Sequence, residues 1–234
     1  MIMRIYSFEN EIQFSEDYIH VLQVEDAKLF ARIVSSIRNG VHDIDYLEEN
    51  ILFTEEDKVV KMSKDIMLII DIWNFDFNQK KIQTSLFQHI EQTFQVEYER
   101  MQQFNTSIKR LELEALDVWN EFPFSFSYKE NITIMDYLKM IGLKIKNEQN
   151  QGIIEHIFSI IDIIEYFHLA KLVVFVNIKL FLTIQELQEV YKYALYKKVP
   201  LLLLETGKEI APIKNEKILF VDSDYDEFLL YNKE

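Results

Sequence analysis

The sequence predicts an α/β protein, a mostly parallel sheet with crossover helices and an α-helical insertion. Three observations predict it. Continuous apolar runs of strand length stand in the first and last thirds, Ile66-Met67-Leu68-Ile69-Ile70 and Leu172-Val173-Val174-Phe175-Val176 among them. Strands that are apolar on both faces belong to sheets covered on both sides. In the last third such runs alternate with a helical period, which requires crossover connections and therefore parallel strands. Between these thirds, residues 79–122 repeat apolar side chains at three- and four-residue steps with no Gly or Pro, the period of a helix.

The elements follow in order. Residues 3–6 and 11–14 are short alternating segments, and 20–24 is a stronger strand. Glu25 and Asp26 open a helix, because carboxylates suit the positive end of its dipole. Its stripe is Leu29, Phe30, Ile33, Val34 and Ile37, and Asn39-Gly40 is the expected stop. The polar stretch 41–64 holds short edge strands around 46–53, and 66–70 is a buried strand. An unbroken helix over 79–122 would reach ~60 Å, more than a compact domain needs, so a protruding helical element bent midway is expected. Pro123 and Phe124-Ser125-Phe126-Ser127-Tyr128 end it. A short helix over 133–141 stops at Gly142, and after a polar break at 147–151 another helix covers 152–169. A strand at 171–176 follows, then a helix to 198 opened by the capping-box pair Thr183 and Glu186. Strands at 199–204 and 218–221 close the chain. The expected division is an α/β head of 1–78 and 150–234, with an α-helical leg of 79–149 inserted.

Composition narrows the function. The 234 residues suffice for a real hydrophobic core. With no cysteine, disulfides and thiolate metal sites are excluded, which suits a cytoplasmic location. No apolar run approaches the roughly 18 residues of a membrane span, so no membrane partner is expected. The balance of 25 basic against 39 acidic residues, net −14, argues against indiscriminate polyanion binding.

A parallel sheet invites a nucleotide hypothesis, and the residues argue against it. A phosphate loop needs glycines after an early strand so that backbone amides wrap the phosphates. Here 20–24 leads directly into Glu25-Asp26, two carboxylates where phosphate would sit. Thr206-Gly207-Lys208 lacks a preceding glycine loop and reads as a turn. The histidines, His20, His42, His89, His156 and His168, never pair at three- or four-residue spacing, so no helical zinc motif is present. There is no G-x-S-x-G elbow and no thiol nucleophile. Glu114, Asp117 and Glu121 share one helical face, open to calcium or simply to solvent. Asp222-Ser223-Asp224-Tyr225-Asp226 resembles the start of a calcium loop without its glycine and closing Glu. Among the bases, Lys139, Lys144 and Lys146 bracket Gly142 with no acid between 139 and 147, and Lys58, Lys61 and Lys64 recur every third residue. Both groups are either phosphate contacts or solvated edges.

The ordered segments resemble the small adaptation protein of type II-A CRISPR systems, the ring-forming DNA-end-binding subunit of spacer acquisition. The resemblance lies in Val21-Leu22-Gln23-Val24-Glu25-Asp26 with Phe30, Ile33 and Val34, then Asp65-Ile66-Met67-Leu68-Ile69-Ile70-Asp71-Ile72 with Phe75-Asp76-Phe77-Asn78. It continues in Ile132-Thr133-Ile134-Met135, Leu138-Lys139 and Ile141-Gly142-Leu143-Lys144-Ile145, and ends in 171–177, Phe181-Leu182-Thr183 and 201–205. The match spans nearly the whole chain in order.

The resemblance implies an α/β head akin to a P-loop or SMC-type ATPase that has lost its nucleotide site, with an inserted helical leg. It implies a homotetrameric ring around linear duplex DNA ends, no enzymatic activity or nucleotide, and antiviral defence alongside the CRISPR integrase proteins and effector nuclease. Lys139 and Lys144 fall on family lysines; Lys146, Lys61 and Lys64 join them by charge as DNA-binding candidates. The resemblance also implies calcium, with Glu121 and Glu130 on the family's acidic stretch and Glu114 and Asp117 beside it. There this sequence departs: Phe122-Pro123-Phe124-Ser125-Phe126-Ser127 replaces the acids, and apolar leg packing is the substitute. The rival readings are a divergent nucleotide hydrolase and a purely protein-interacting subunit docking through 79–122.

Overall fold

The computed structural model describes residues 1–46, 48–146, 152–209 and 211–232. The chain forms two compact units, one of Met1–Asp76 with Glu148–Glu234 and one of Phe77–Asn147. The first unit begins β1 (Ile2–Ile5), β2 (Ile12–Gln13), β3 (Ile19–Val24), α1 (Ala27–Val41), β4 (Ile51–Glu55), β5 (Lys58–Val59), α2 (Met62–Asp65) and β6 (Ile66–Ile69). The second holds α3 (Lys80–Val96), α4 (Tyr98–Trp119) and α5 (Ile134–Met140). The first then continues with α6 (Ile153–Tyr166), β7 (Leu172–Val176), a 3-10 turn at Ile178–Phe181, α7 (Ile184–Tyr196), β8 (Leu201–Thr206), β9 (Glu216–Val221) and β10 (Glu227–Tyr231). The polar break expected at 147–151 lies outside the described residues.

The main sheet has the order β10-β9-β3-β8-β7-β6. All its pairings are parallel except β10 with β9. The α/β class therefore follows from the apolar runs, since β3 and β7 are buried along their whole length. One face, with Leu22, Val24, Val174, Leu202 and Leu219, packs on Leu29, Ile33 and Ile37 of α1 and on Met3, Ile5 and Phe53 of a second sheet. That second sheet is antiparallel, in the order β2-β1-β4-β5. Helices α6 and α7 pack on each other and bury Ile157, Ile160, Ile161, Leu187, Val190 and Tyr191.

Four details correct or sharpen the expectation, the midway bend of 79–122 being one that was anticipated. Glycine 40 does not stop α1, which runs to Val41. A Cβ there would lie 2.2 Å from the Met62 sulfur, so Gly40 serves close packing against α2. The strand expected around 46–53 starts at Ile51 and is internal to its sheet, not an edge. The helical stretch 79–122 is two helices, separated at Glu97 with φ −96° and ψ 84°. The acidic run at 222–226 is the β9–β10 turn, where Asp222 Oδ1 accepts from the Asp224 and Asp226 amides at 2.9 Å each. The Asp222 carboxylate closes a hairpin, an Asx-turn role.

A buried polar strip lies in the first unit. Glu216 accepts from Tyr191 Oη at 2.6 Å and pairs with Lys179 at 2.5 Å. Glu205 accepts from the Lys179 amide at 3.1 Å. Burial pushes its carboxyl up to about 7, although the Lys179 amide and charge pull the other way.

Candidate nucleic-acid interface

The expected phosphate-contacting lysines divide between the two units. In the second unit, α5 begins with Thr133, whose hydroxyl accepts from the Asp136 amide at 3.1 Å while Asp136 accepts from the Thr133 amide at 2.9 Å. Lys129 adds an ion pair to Asp136 at 2.5 Å. That cation and the Thr133 bonds hold the Asp136 carboxyl far below its usual range. Phe87, Ile134 and Leu138 form the buried centre, with Ile90, Phe94, Met101 and Phe104 packed around it. The Phe104 ring meets Phe94 and Tyr137 edge-on at 6.0 and 5.8 Å. These contacts cross the break at Glu97, which explains why α3 and α4 separate there without a Gly or Pro.

Gly142 ends α5 at φ +64°. Its amide donates to Lys139 O and the Leu143 amide to Leu138 O, both at 3.1 Å. This is a Schellman closure with the apolar contact Leu138–Leu143 that accompanies it. The chain leaves in an extended stretch held by Asn78, which donates to Ile145 O at 3.0 Å and accepts from Ile145 N at 2.7 Å. The period of two then puts Leu143 and Ile145 inward and Lys144 and Lys146 outward. Lys139, Lys144 and Lys146 are all exposed, and among the described residues no carboxylate lies within ion-pair distance of them.

The remaining candidates are placed differently. Lys61 precedes α2 in the first unit and pairs loosely with Asp43 at 3.5 Å; Lys64 lies in the last turn of α2. Glu114 and Asp117 are exposed on α4, with Glu114 held by Arg110 at 3.1 Å, and Glu121 and Glu130 are exposed beyond it. Among the described residues no three acids or histidines gather into a metal-holding group. The expected ligands of one chain therefore gather no calcium donor set among the described residues. What stands there instead is aromatic: Trp119 lies 5.3 Å from Tyr128 and 6.2 Å from Phe126, and Phe122 6.0 Å from Phe126. Sequence reading took this run as a break in the helix and as apolar packing in place of the acids. Its alternation of Phe and Ser was the signal that one side would collect rings.

Asp26 caps α1, its carboxylate accepting from Leu29 N at 2.7 Å where a phosphate would bind. Gly207 turns at φ +125° and its amide donates to Val24 O at 3.1 Å, with no helix following before β9 among the described residues. His156 is structural, bonded through Nε2 to Ile72 O at 2.8 Å. Among the described residues no helix is long and apolar enough to cross a membrane.

Comparison with known proteins falls on the same segments. Residues 43–225 match the family described as CRISPR-associated protein (Cas_Csn2). A relative from Streptococcus agalactiae, CRISPR-associated protein Csn2, is 28% identical over 189 residues, covering 79% of this chain and 80% of its own. The crystal structure of Stu0660 of Streptococcus thermophilus superposes with a TM-score of 0.60 at 14% identity, covering 99% of this chain and 77% of that one. The last of these speaks for the fold alone.

Proposed function

We propose that this chain, which belongs to the Csn2 family of CRISPR-associated adaptation proteins, is a non-catalytic holder of duplex DNA ends in spacer acquisition. It works in the cytoplasm as a homotetrameric ring, handing DNA to the CRISPR integrase proteins and the effector nuclease in antiviral defence. The observation that carries this reading is the exposed trio Lys139, Lys144 and Lys146, free of described carboxylate partners in a protein of net charge −14. Phosphate attraction depends on local potential, not on net charge. Four copies facing one aperture would sum these cations while the acids face elsewhere. Phosphate contacts alone confer no sequence preference and a steep salt dependence. A closed ring adds preference for free ends without reading them chemically.

Self-association is supported by α4, which has no buried residue although Leu111 and Leu113 are over 60% exposed. Phe124 is 70% exposed as well. A calcium ion in such an assembly would need ligands from a second copy. The test is an electrophoretic shift of linear duplex DNA with Lys139→Glu/Lys144→Glu. Loss of the shift with the oligomer intact is expected. Unchanged DNA affinity with lost binding of the partner proteins would favour the protein-interaction reading, for which the helical stretch 79–122, with Leu111 and Leu113 exposed on α4, is the docking surface. Heat and turnover with ATP and magnesium would favour the hydrolase.

A further inference from the structure

The tip that carries the exposed lysines of the second unit also carries exposed apolar side chains. Met140 and Ile141 stand between Lys139 and Gly142 in the chain, and they are 73% and 50% exposed. Met140 is the last residue of α5 and Ile141 its C-cap. Neither packs into the buried centre of Phe87, Ile134 and Leu138, where Leu143 does. A Cβ added at Gly142 would meet nothing within 4 Å, so open space lies beside the pair. Tyr137, three residues before Met140 and four before Ile141, shares their side of the helix. Its ring meets Phe104 at 5.8 Å, which props that side from below.

The charge around the pair has one sign. Lys139, Lys144 and Lys146 are exposed, with no carboxylate within ion-pair distance among the described residues. Asp136, the acid of α5, is engaged by Lys129 at 2.5 Å and by the Thr133 amide at 2.9 Å. A single exposed apolar residue is ordinary. Two adjacent ones, flanked by unpaired cations, fit a ligand that alternates anionic and apolar surface. The backbone of duplex DNA does so, with deoxyribose between its phosphates. Lysines alone would hold the phosphates; the apolar pair offers a surface to the sugars.

We propose that Met140 and Ile141 pack on the deoxyribose walls of the minor groove while Lys139, Lys144 and Lys146 hold phosphates, so that part of the affinity for duplex DNA does not depend on salt. The inference rests on the DNA-binding reading above and adds the apolar half of the same contact. It uses no base edge, so preference among sequences stays absent. Apolar side chains are a recurrent means of contact in the minor groove, and their burial gives a binding free energy that counterion release does not.

The test is titration of the full chain against a fluorescein-labelled linear duplex over a salt series, for the wild type, Met140→Ser/Ile141→Ser and Met140→Leu/Ile141→Val. The serine pair is expected to bind about tenfold more weakly at every salt concentration. Its slope of log affinity against log salt stays that of the wild type, because no phosphate contact is lost. The Leu/Val pair keeps the wild-type affinity. The heat-capacity change of binding, from calorimetry at several temperatures, becomes less negative in the serine pair. The oligomer's mass by light scattering stays the same in both variants. Equal affinity of the serine pair and the wild type overturns the proposal and leaves the lysines as the whole contact. A flattened salt slope in the serine pair overturns it too, since the loss then runs through phosphates. A fall in mass assigns Met140 and Ile141 to contact between copies and overturns it as well. Failure of the wild type to bind the duplex at all overturns the DNA-binding reading, and this proposal with it.

Discussion

Asn78 and Ile145 exchange two hydrogen bonds through the Asn78 side-chain amide, at 3.0 and 2.7 Å, and so fix the extended segment that presents Lys144 and Lys146. A side-chain amide used this way imitates a strand neighbour. Asn78→Ala removes both bonds and leaves a part-buried carbonyl and amide to water. The expected cost is about 2 kcal/mol in the stability of this unit, with faster exchange at the Ile145 amide. An unchanged exchange rate there would show that the segment is held by its apolar residues alone.

Glu205 and His20 give opposite pH dependences. Glu205 sits near 7 in the fold against an ordinary value of 4.5. Its contribution is fully present below 4.5 and is lost as pH rises to 7. His20 sits near 4 against 6.5. Its contribution is fully present above 6.5 and is lost as pH falls to 4. Each amounts to about 3 kcal/mol at most, and between 4.5 and 6.5 the two slopes oppose. Glu205→Gln is therefore expected to raise the unfolding midpoint above pH 7 and to expose the His20 slope on acidification. Calorimetry from pH 4 to 8 checks both signs.

Much of the fold was legible because parallel strands leave a plain trace. Val21, Leu22, Val173, Val174, Leu202 and Leu203 are apolar on both faces, and the Thr183 capping box forms, with Glu186 Oε2 accepting from Thr183 N at 2.6 Å. What stayed hidden has physical reasons. A bend in 79–122 was expected, but its place at Glu97 rests on Phe104 folding back on Phe94 and Tyr137, contacts not marked by any local signal. β10 went unread although Phe228-Leu229-Leu230-Tyr231 is an apolar run, because it follows an acidic turn and three of its five residues are exposed rather than buried. Glu205 reads as the end of a strand, and nothing local says that it is buried beside Gln23, whose Oε1 has no partner among the described residues. At the candidate site, the exposure of Lys144 and Lys146 was readable from their alternation with Leu143 and Ile145. The failure of Glu114, Asp117, Glu121 and Glu130 to converge was not, because helical spacing reports a shared face and says nothing of convergence across segments.

The aromatic run bears on assembly. Trp119, Phe122, Phe126 and Tyr128 pack on one another where carboxylates were expected to hold calcium. The oligomer's mass by light scattering is expected to be the same in calcium and in chelator, and to fall in Phe124→Ser/Phe126→Ser with helicity retained. Collapse of the mass on chelation alone would assign assembly to the metal.

The lysines bear on salt dependence. For each phosphate contact removed, the slope of log affinity against log salt is expected to flatten by about 0.9. Lys144→Gln and Lys146→Gln, made singly, should each flatten it while leaving preference among DNA sequences absent. Titrations over a salt series on two unrelated duplexes of equal length check this.

The most direct measurement is competition between linear and covalently closed circular DNA of identical sequence and mass for the purified oligomer. Threading of free ends predicts that the linear form displaces a labelled linear probe and that the closed circle competes weakly until a single cut is made. Equal competition by the uncut circle would contradict the account.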